Sequence, residues 1–161
     1  MNNYWSDKKI MVTGAGGFIG SHLVETLIGH GAKVKAFTHY NSRGDPGLLT
    51  MLPEDIFSQL EIVAGDLCDL PVLSAAMKNI EIVFHLGALI AIPYSYTHPV
   101  QVIETNILGS LNVFLAAKEH GVARIVHTSS SEVYGSALKV PIDENHPLQG
   151  QSPYSDRKSV V

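Results

Sequence analysis

Five short apolar runs recur along the chain, at 9–13, 33–38, 61–64, 80–86 and 123–128, each of strand length and bounded by turn-forming residues. The segments between them carry helical spacing instead. Ile19, Leu23 and Leu27, flanked by Val24 and Ile28, form one apolar stripe that predicts a helix over 18–30, with Gly31 as its C-cap. A short helix is expected from Pro71 to Lys78 and a long one over 98–120. In the long helix Val100, Ile103, Ile107, Leu111 and Leu115 mark the face expected to be buried, with Thr97 as N-cap and Gly121 ending it. The stretch 136–151, with Pro141 and Pro147, reads as a loop leading to a last helix that Ser152 caps and Pro153 starts. Strands alternating with crossover helices predict an α/β fold with a doubly wound parallel sheet, incomplete on its C-terminal side.

Composition narrows the setting. Of the 161 residues 45% are hydrophobic, the net charge is −4, and no uninterrupted run reaches the roughly 18 apolar residues of a membrane span. The first nine residues lack the apolar core of an export signal, so a cytoplasmic location and no membrane partner are expected. The single cysteine, Cys68, rules out an internal disulfide and, next to Leu67, is expected to be a small buried side chain. Mild acidity offers no basic patch for nucleic acid. The eight histidines form no close cluster at ligand spacing, so no metal site is expected, and His85 and His127 read as strand positions.

The chemistry is concentrated in four places. Thr13-Gly14-Ala15-Gly16-Gly17-Phe18-Ile19-Gly20 lies between a strand and a helix, with Gly14, Gly17 and Gly20 spaced so that backbone N–H groups can approach a pyrophosphate at a helix N-terminus. Gly65-Asp66-Leu67 follows the third strand, where a carboxylate can accept from an adenine amino group while Leu67 covers the ring. Leu86-Gly87-Ala88 follows the fourth strand and is small enough for backbone to lie against a dinucleotide. Thr128-Ser129-Ser130-Ser131-Glu132-Val133-Tyr134-Gly135 follows the fifth. Near the end of the chain Tyr154 and Lys158 stand four apart, one helical face for a phenol and an ammonium that lowers its pKa, which makes Tyr154 a candidate general base.

Together these motifs resemble the extended short-chain dehydrogenase/reductase family, the NAD-dependent epimerases and dehydratases of nucleotide sugars, over residues 9 to 155. The resemblance implies a Rossmann-type domain, with Ser130 at the catalytic hydroxyl position, Tyr154 as base, Lys158 as its partner and Asp66 and Leu67 as adenine contacts. Asn106, in the long helix, matches an asparagine that the family keeps near the active site. Glu132, two residues beyond Ser130, favours dehydration, because a carboxylate there can remove the C5 proton once C4 is a ketone. The stretches around Pro93, Ser130 and Pro147 look like the bacterial 4,6-dehydratases that act on nucleotide-linked N-acetylglucosamine in legionaminic acid biosynthesis. Related glucose dehydratases carry Asp where this chain has Ser131, which leaves the proton donor to the departing hydroxyl unassigned. A nucleotide-sugar 4-epimerase or decarboxylase is the alternative within the family, and a cofactor-binding module without turnover is the alternative outside it.

The resemblance implies NAD as cofactor and a homodimer built on the long helix and the Tyr154 helix. NADP is left open. The family pattern points to Thr38 at the end of the second strand, where NAD enzymes commonly carry an acid for the ribose diol; Thr38 and Asn41 can replace it, and Arg43 can meet a 2′-phosphate. The domain is expected to occupy 1–155, with a substrate-binding lobe absent. Residues 156–161 read as a tail foreign to the domain, the translation of a common sequencing adaptor, so the chain itself is expected to be a fragment whose turnover is doubtful.

Overall fold

The computed structural model describes residues 4–158. Its centre is a sheet of five parallel strands: β1 (Lys9–Thr13), β2 (Lys33–His39), β3 (Glu61–Gly65), β4 (Ile82–His85) and β5 (Arg124–His127), in the order β3-β2-β1-β4-β5. The strands fall within the five predicted runs or extend them by one residue. β1 lies in the middle because Ile10, Met11 and Val12 are apolar on both faces, and all three are fully buried. Side chains alternate across the sheet. Ile10, Val12, Val34 and Ala36 pack under α1 (Phe18–Gly29), whereas Met11, Phe37 and Val83 face the helices that follow β3 and β4. Burying one such aliphatic side chain contributes on the order of 1.5–3 kcal/mol.

α1 ends as its glycine predicts. Gly31 takes φ +81°, its N–H donates to the Ile28 carbonyl at 2.7 Å, and the Ala32 N–H donates to Leu27 at 3.0 Å, the two bonds of a Schellman cap. A 3-10 turn (Gly47–Met51) and a four-residue helix α2 (Glu54–Phe57) follow β2, neither signalled by periodicity because each is too short to show one. α3 (Leu70–Met77) is capped by the Asp69 carboxylate, which accepts the Val72 N–H at 3.2 Å.

The long helix departs from expectation in two ways. It is preceded by a separate helix α4 (Ile92–Thr97), so its N-cap is His98 rather than Thr97, and it runs as α5 (Pro99–Ile103), a π turn (Glu104–Leu108) and α6 (Gly109–Glu119). Its buried face is also not the predicted one. Val100, Ile103, Ile107, Leu111 and Leu115 are 36–65% exposed, while Val102, Asn106, Gly109, Ser110, Val113, Ala116 and Ala117 are buried. The small residues win because they let the helix axis approach the sheet: a Cβ on Gly109 would stand 2.8 Å from the Leu67 Cβ. Pro99–Glu119, 21 residues, is long and apolar enough to cross a membrane by length and composition alone, although it contains charged residues. Here its inner face packs on α3 and the sheet.

Candidate active site

The chain order of the strands reverses between β1 and β4, so a crevice opens where their carboxyl ends diverge. The glycine turn lies on one side of it. Gly14 adopts φ +69°, and a Cβ there would meet the Gly87 nitrogen at 2.8 Å; a Cβ on Gly20 would stand 2.2 Å from the Gly14 carbonyl oxygen. The turn is therefore held against the loop after β4 at a distance only hydrogen allows. No side chain caps α1 at Gly17, so the N–H groups of its first turn have no intrahelical or side-chain acceptor, and the turn offers donors to an anion. Phe18 and Ile19 are 72% and 67% exposed at this end, so the apolar stripe of α1 begins at Leu23 rather than at Ile19.

Around this turn the other expected contacts assemble. Asp66, exposed after β3, accepts the Cys68 N–H on Oδ1 at 2.8 Å, and its carboxylate also meets the Cys68 thiol. Leu67 is buried and reaches Gly87, which joins the end of β3 to the loop Leu86-Gly87-Ala88. Thr38 is buried in the penultimate position of β2, with its methyl near Gly16. Asn41 is committed elsewhere: its Nδ2 donates to the Asp45 carbonyl at 2.7 Å and its Oδ1 accepts the N–H groups of Arg43 and Asp45. It builds the loop with its Oδ1 and one Nδ2 hydrogen, which leaves the second Nδ2 hydrogen as a donor. Arg43 is exposed. Cys68 is exposed rather than buried, because the turn after β3 points it outward. Local desolvation, and then the Asp66 and Glu104 carboxylates, push its thiol above the ordinary value, which makes it a poor nucleophile.

The hydroxyl cluster and the terminal tyrosine meet on the far side of the crevice. Ser130 is the N-cap of a 3-10 turn (Ser131–Tyr134), its Oγ accepting the Glu132 N–H at 3.3 Å, while Val133 is the buried residue that anchors the turn and Glu132 is exposed. Helix α7 (Pro153–Lys158) packs on this turn and on α4 and α5. Ser152 and Ser155 cap it reciprocally: Ser152 Oγ accepts the Ser155 N–H at 3.1 Å, and Ser155 Oγ accepts the Ser152 N–H at 2.8 Å. The preceding strand of loop is fixed by the Gln149 N–H donating to the Val133 carbonyl at 2.8 Å. Tyr154 is 9% exposed. Lys158 falls one helical turn later in α7, but its side chain lies outside the described residues, as do the structures of residues 159–161.

Asn106 sits in the π turn and is buried, its side-chain amide accepting the Leu89 N–H at 2.7 Å and donating to the Leu89 carbonyl at 2.9 Å. The structure thus brings it against the loop after β4. Among the described residues no three His, Cys, Asp or Glu side chains converge as a metal site would require.

Two parts of the site escaped the sequence reading: helix α4, whose Tyr96 hydroxyl donates to the Gln151 carbonyl at 2.9 Å, and the loop after β2, where the Leu48 N–H donates to the Gly16 carbonyl at 2.9 Å. The pair Pro93 and Pro99, six residues apart, was the one available signal that 92–97 forms a helix of its own.

The family model described as GDP-mannose 4,6 dehydratase matches residues 11–161. The chain belongs to this family. It is the GDP-mannose 4,6-dehydratase-like group of extended short-chain dehydrogenases/reductases, whose members among its relatives run different reactions. A dTDP-glucose 4,6-dehydratase of Streptomyces antibioticus is 35% identical over 93% of the chain and 45% of the relative. A UDP-glucose 4-epimerase of Pisum sativum is 30% identical over 95% and 45%, and UDP-glucuronic acid decarboxylase 1 of Arabidopsis thaliana 35% identical over 95% and 34%. Among solved structures, the UDP-N-acetylglucosamine 4-epimerase of Methanobrevibacter ruminantium M1, in complex with UDP-N-acetylmuramic acid, superposes with TM-score 0.85 at 35% identity over 96% of the chain and 48% of its own. DesIV, a dTDP-glucose 4,6-dehydratase of Streptomyces venezuelae with NAD and TYD bound, superposes with TM-score 0.84 at 30% identity over 94% and 48%. The chain spans about half the length of most of these family members.

Proposed function

We propose that this family member is the cofactor-binding part, residues 1–155, of an NAD-dependent 4,6-dehydratase acting on nucleotide-linked N-acetylglucosamine. The observation that carries the reading is Glu132: a carboxylate on the turn that Ser130 caps, packed against the helix that carries Tyr154. The glycine turn fits a dinucleotide pyrophosphate, since Gly14 and Gly20 leave no room for a Cβ and α1 has no side-chain cap. NAD held at this turn would supply a hydride acceptor for C4 of the sugar and a hydride donor for C6.

The chain's own residues move the protons. Tyr154 takes the proton of the 4-hydroxyl, and Ser130 donates a hydrogen bond to the C4 oxygen. With C4 a ketone, the C5 proton is acidic and Glu132 removes it. Ser131 carries no carboxyl, so Glu132, now protonated, is the acid at hand for the hydroxyl leaving C6 as water. C5 then takes one proton, equal to the one lost from the 4-hydroxyl, and the balance closes. Legionaminic acid precursors are the substrate class we favour, in the cytoplasm.

The test is Glu132→Gln in the intact enzyme. Nicotinamide reduction by the sugar should persist while C5 solvent exchange and water loss fall by about 10²–10⁴-fold. Undiminished 4-keto-6-deoxy product would refute the assignment, and a C4-inverted or decarboxylated product would assign the enzyme to one of the other reactions of its relatives. Parallel titrations with NAD and NADP test the cofactor. We also propose that the intact enzyme is a homodimer, supported by the apolar stripe Val100, Ile103, Ile107, Leu111 and Leu115 that the domain leaves exposed.

A further inference from the structure

Thr13, the last residue of β1, is the cross-strand partner of His85, the last residue of β4, and both are buried to within 1%. Thr13 Oγ1 lies 2.6 Å from His85 Nδ1 and accepts the Gly87 N–H at 3.1 Å. On the opposite side of the ring, His85 Nε2 lies 2.9 Å from Ser110 Oγ, and the Ser110 hydroxyl donates to the Asn106 carbonyl at 2.6 Å. Asn106 holds Leu89 through both of its amide atoms. The rings of His127, at 4.9 Å, and Phe114, at 6.3 Å, pack beside His85.

The proton positions in this chain follow from counting. Ser110 has a single hydroxyl proton, committed to the Asn106 carbonyl, so toward His85 it can only accept, and the imidazole proton must be on Nε2. A neutral ring protonated at Nε2 has an acceptor at Nδ1. The Thr13 hydroxyl proton therefore goes to His85, and the Thr13 oxygen remains as acceptor for Gly87. An imidazolium would bring a second donor against Thr13 and strand its hydroxyl proton in a buried place, which disfavours the charged form. The Ser110 bond to a carbonyl four residues back also accompanies the π turn that aims Asn106 at Leu89.

We propose that His85 is a positioning residue for the cofactor loop: held neutral as the Nε2–H tautomer, it joins Thr13 and Ser110 into one hydrogen-bond chain that fixes Gly87 and Leu89 relative to each other. Because Gly87 abuts Gly14, the same chain sets the spacing between that loop and the pyrophosphate turn. The inference rests on the cofactor reading above for its purpose, but the clamp can be measured without cofactor.

In ¹⁵N-labelled intact protein, long-range correlations from the ring nitrogens of His85 to its carbon-bound protons should report a neutral ring with the proton on Nε2 at neutral pH. Thr13→Val and Ser110→Ala cut the chain at different links, and each should displace the backbone amide resonances of both Gly87 and Leu89. Each should also weaken NAD binding by about tenfold, the scale of one buried hydrogen bond lost, whereas Thr13→Ser, which keeps the hydroxyl, should bind within about twofold of the parent. An Nδ1–H or doubly protonated ring, or a Leu89 amide unmoved by Thr13→Val, overturns the clamp. Equal NAD affinity in Thr13→Val and Thr13→Ser overturns the positioning role. A wild-type protein that shows the tautomer and the coupled amides yet binds no NAD refutes the cofactor reading instead.

Discussion

The hydroxyl of Tyr96 donates to the backbone carbonyl of Gln151 at 2.9 Å, across 55 residues of sequence. It ties helix α4 to the segment that enters α7, three residues before Tyr154. Together with the Gln149 N–H on the Val133 carbonyl, it fixes where the start of α7 stands relative to the turn that Ser130 caps.

Replacing Tyr96 by Phe removes that bond and leaves the ring. The Gln151 carbonyl is exposed enough for water to satisfy it, so stability should fall by only about 0.5–1.5 kcal/mol. Turnover of the intact enzyme should fall more than substrate affinity, because the helix that carries the proposed base Tyr154 loses a tether and the proposed substrate site does not. Steady-state kinetics beside chemical denaturation will separate the two; unchanged kcat in a folded variant would mean that the other contacts of α7 suffice.

Gly20→Ala tests the glycine turn. Its Cβ would lie 2.2 Å from the Gly14 carbonyl oxygen, a backbone atom that cannot swing away. The expected loss of stability is about 1–3 kcal/mol from overpacking, with a larger proportional loss in NAD affinity because the start of α1 must shift. Calorimetric titration on the folded variant gives the result. Tight NAD binding there would show that the close approach is not what shapes the pyrophosphate site.

The amino end of the sheet carries a pH response. Lys8 pairs with Glu81 at 2.7 Å and Glu81 also accepts the Lys9 N–H at 3.0 Å, while Lys33 pairs with Asp7 at 2.9 Å. The hydrogen bond from Lys8, then the Lys9 N–H, holds the Glu81 carboxyl below its ordinary range, and Lys33 does the same for Asp7. Both lysines are raised by their partners. A lowered carboxylate contributes its stabilisation fully above its unfolded pKa, roughly 4, and loses it as pH falls through the folded value. A raised lysine contributes fully below about pH 10.4 and loses it as pH climbs through the folded value. The melting temperature should therefore be flat between these limits and decline at both ends, less steeply in high salt. Glu81→Gln should have a shallower acid limb than the parent; superimposable limbs would exclude a role for this pair.

Leu111→Lys bears on the exposed stripe. Leu111 is 48% exposed in the isolated chain, so the substitution should leave the melting temperature nearly unchanged when the protein is monomeric. If the proposed dimer forms through this stripe, the substitution should shift sedimentation of the intact enzyme from dimer to monomer, since it places a charge in an apolar contact. A dimer that survives both Leu111→Lys and Ile107→Lys would put the interface elsewhere.

The strands, the glycine turn and the caps at Gly31 and Ser152 were legible because each depends on neighbours in sequence. Three consecutive buried residues make β1 a central strand, Gly31 takes the left-handed conformation required after α1, and Ser152 with Pro153 starts α7, whatever the rest of the chain does. Cys68 and Asn41 were not legible, since whether a turn points a side chain inward or spends it on its own loop is decided by geometry that residue type does not carry.

What the sequence by itself determined is the parallel sheet, the succession of its strands and the family to which the chain belongs, all encoded in local pattern and ordered motifs. Only the tertiary structure decided which side of the long helix faces inward. Both sides are free of charge over long stretches, so the hydrophobic pattern could not distinguish them. The choice fell to size: Gly109, Ser110, Ala116 and Ala117 allow the helix to lie close on the sheet, and the larger residues are left on the outside. The same close approach brings Ser110 within reach of His85, a contact between residues 25 apart that no periodicity records.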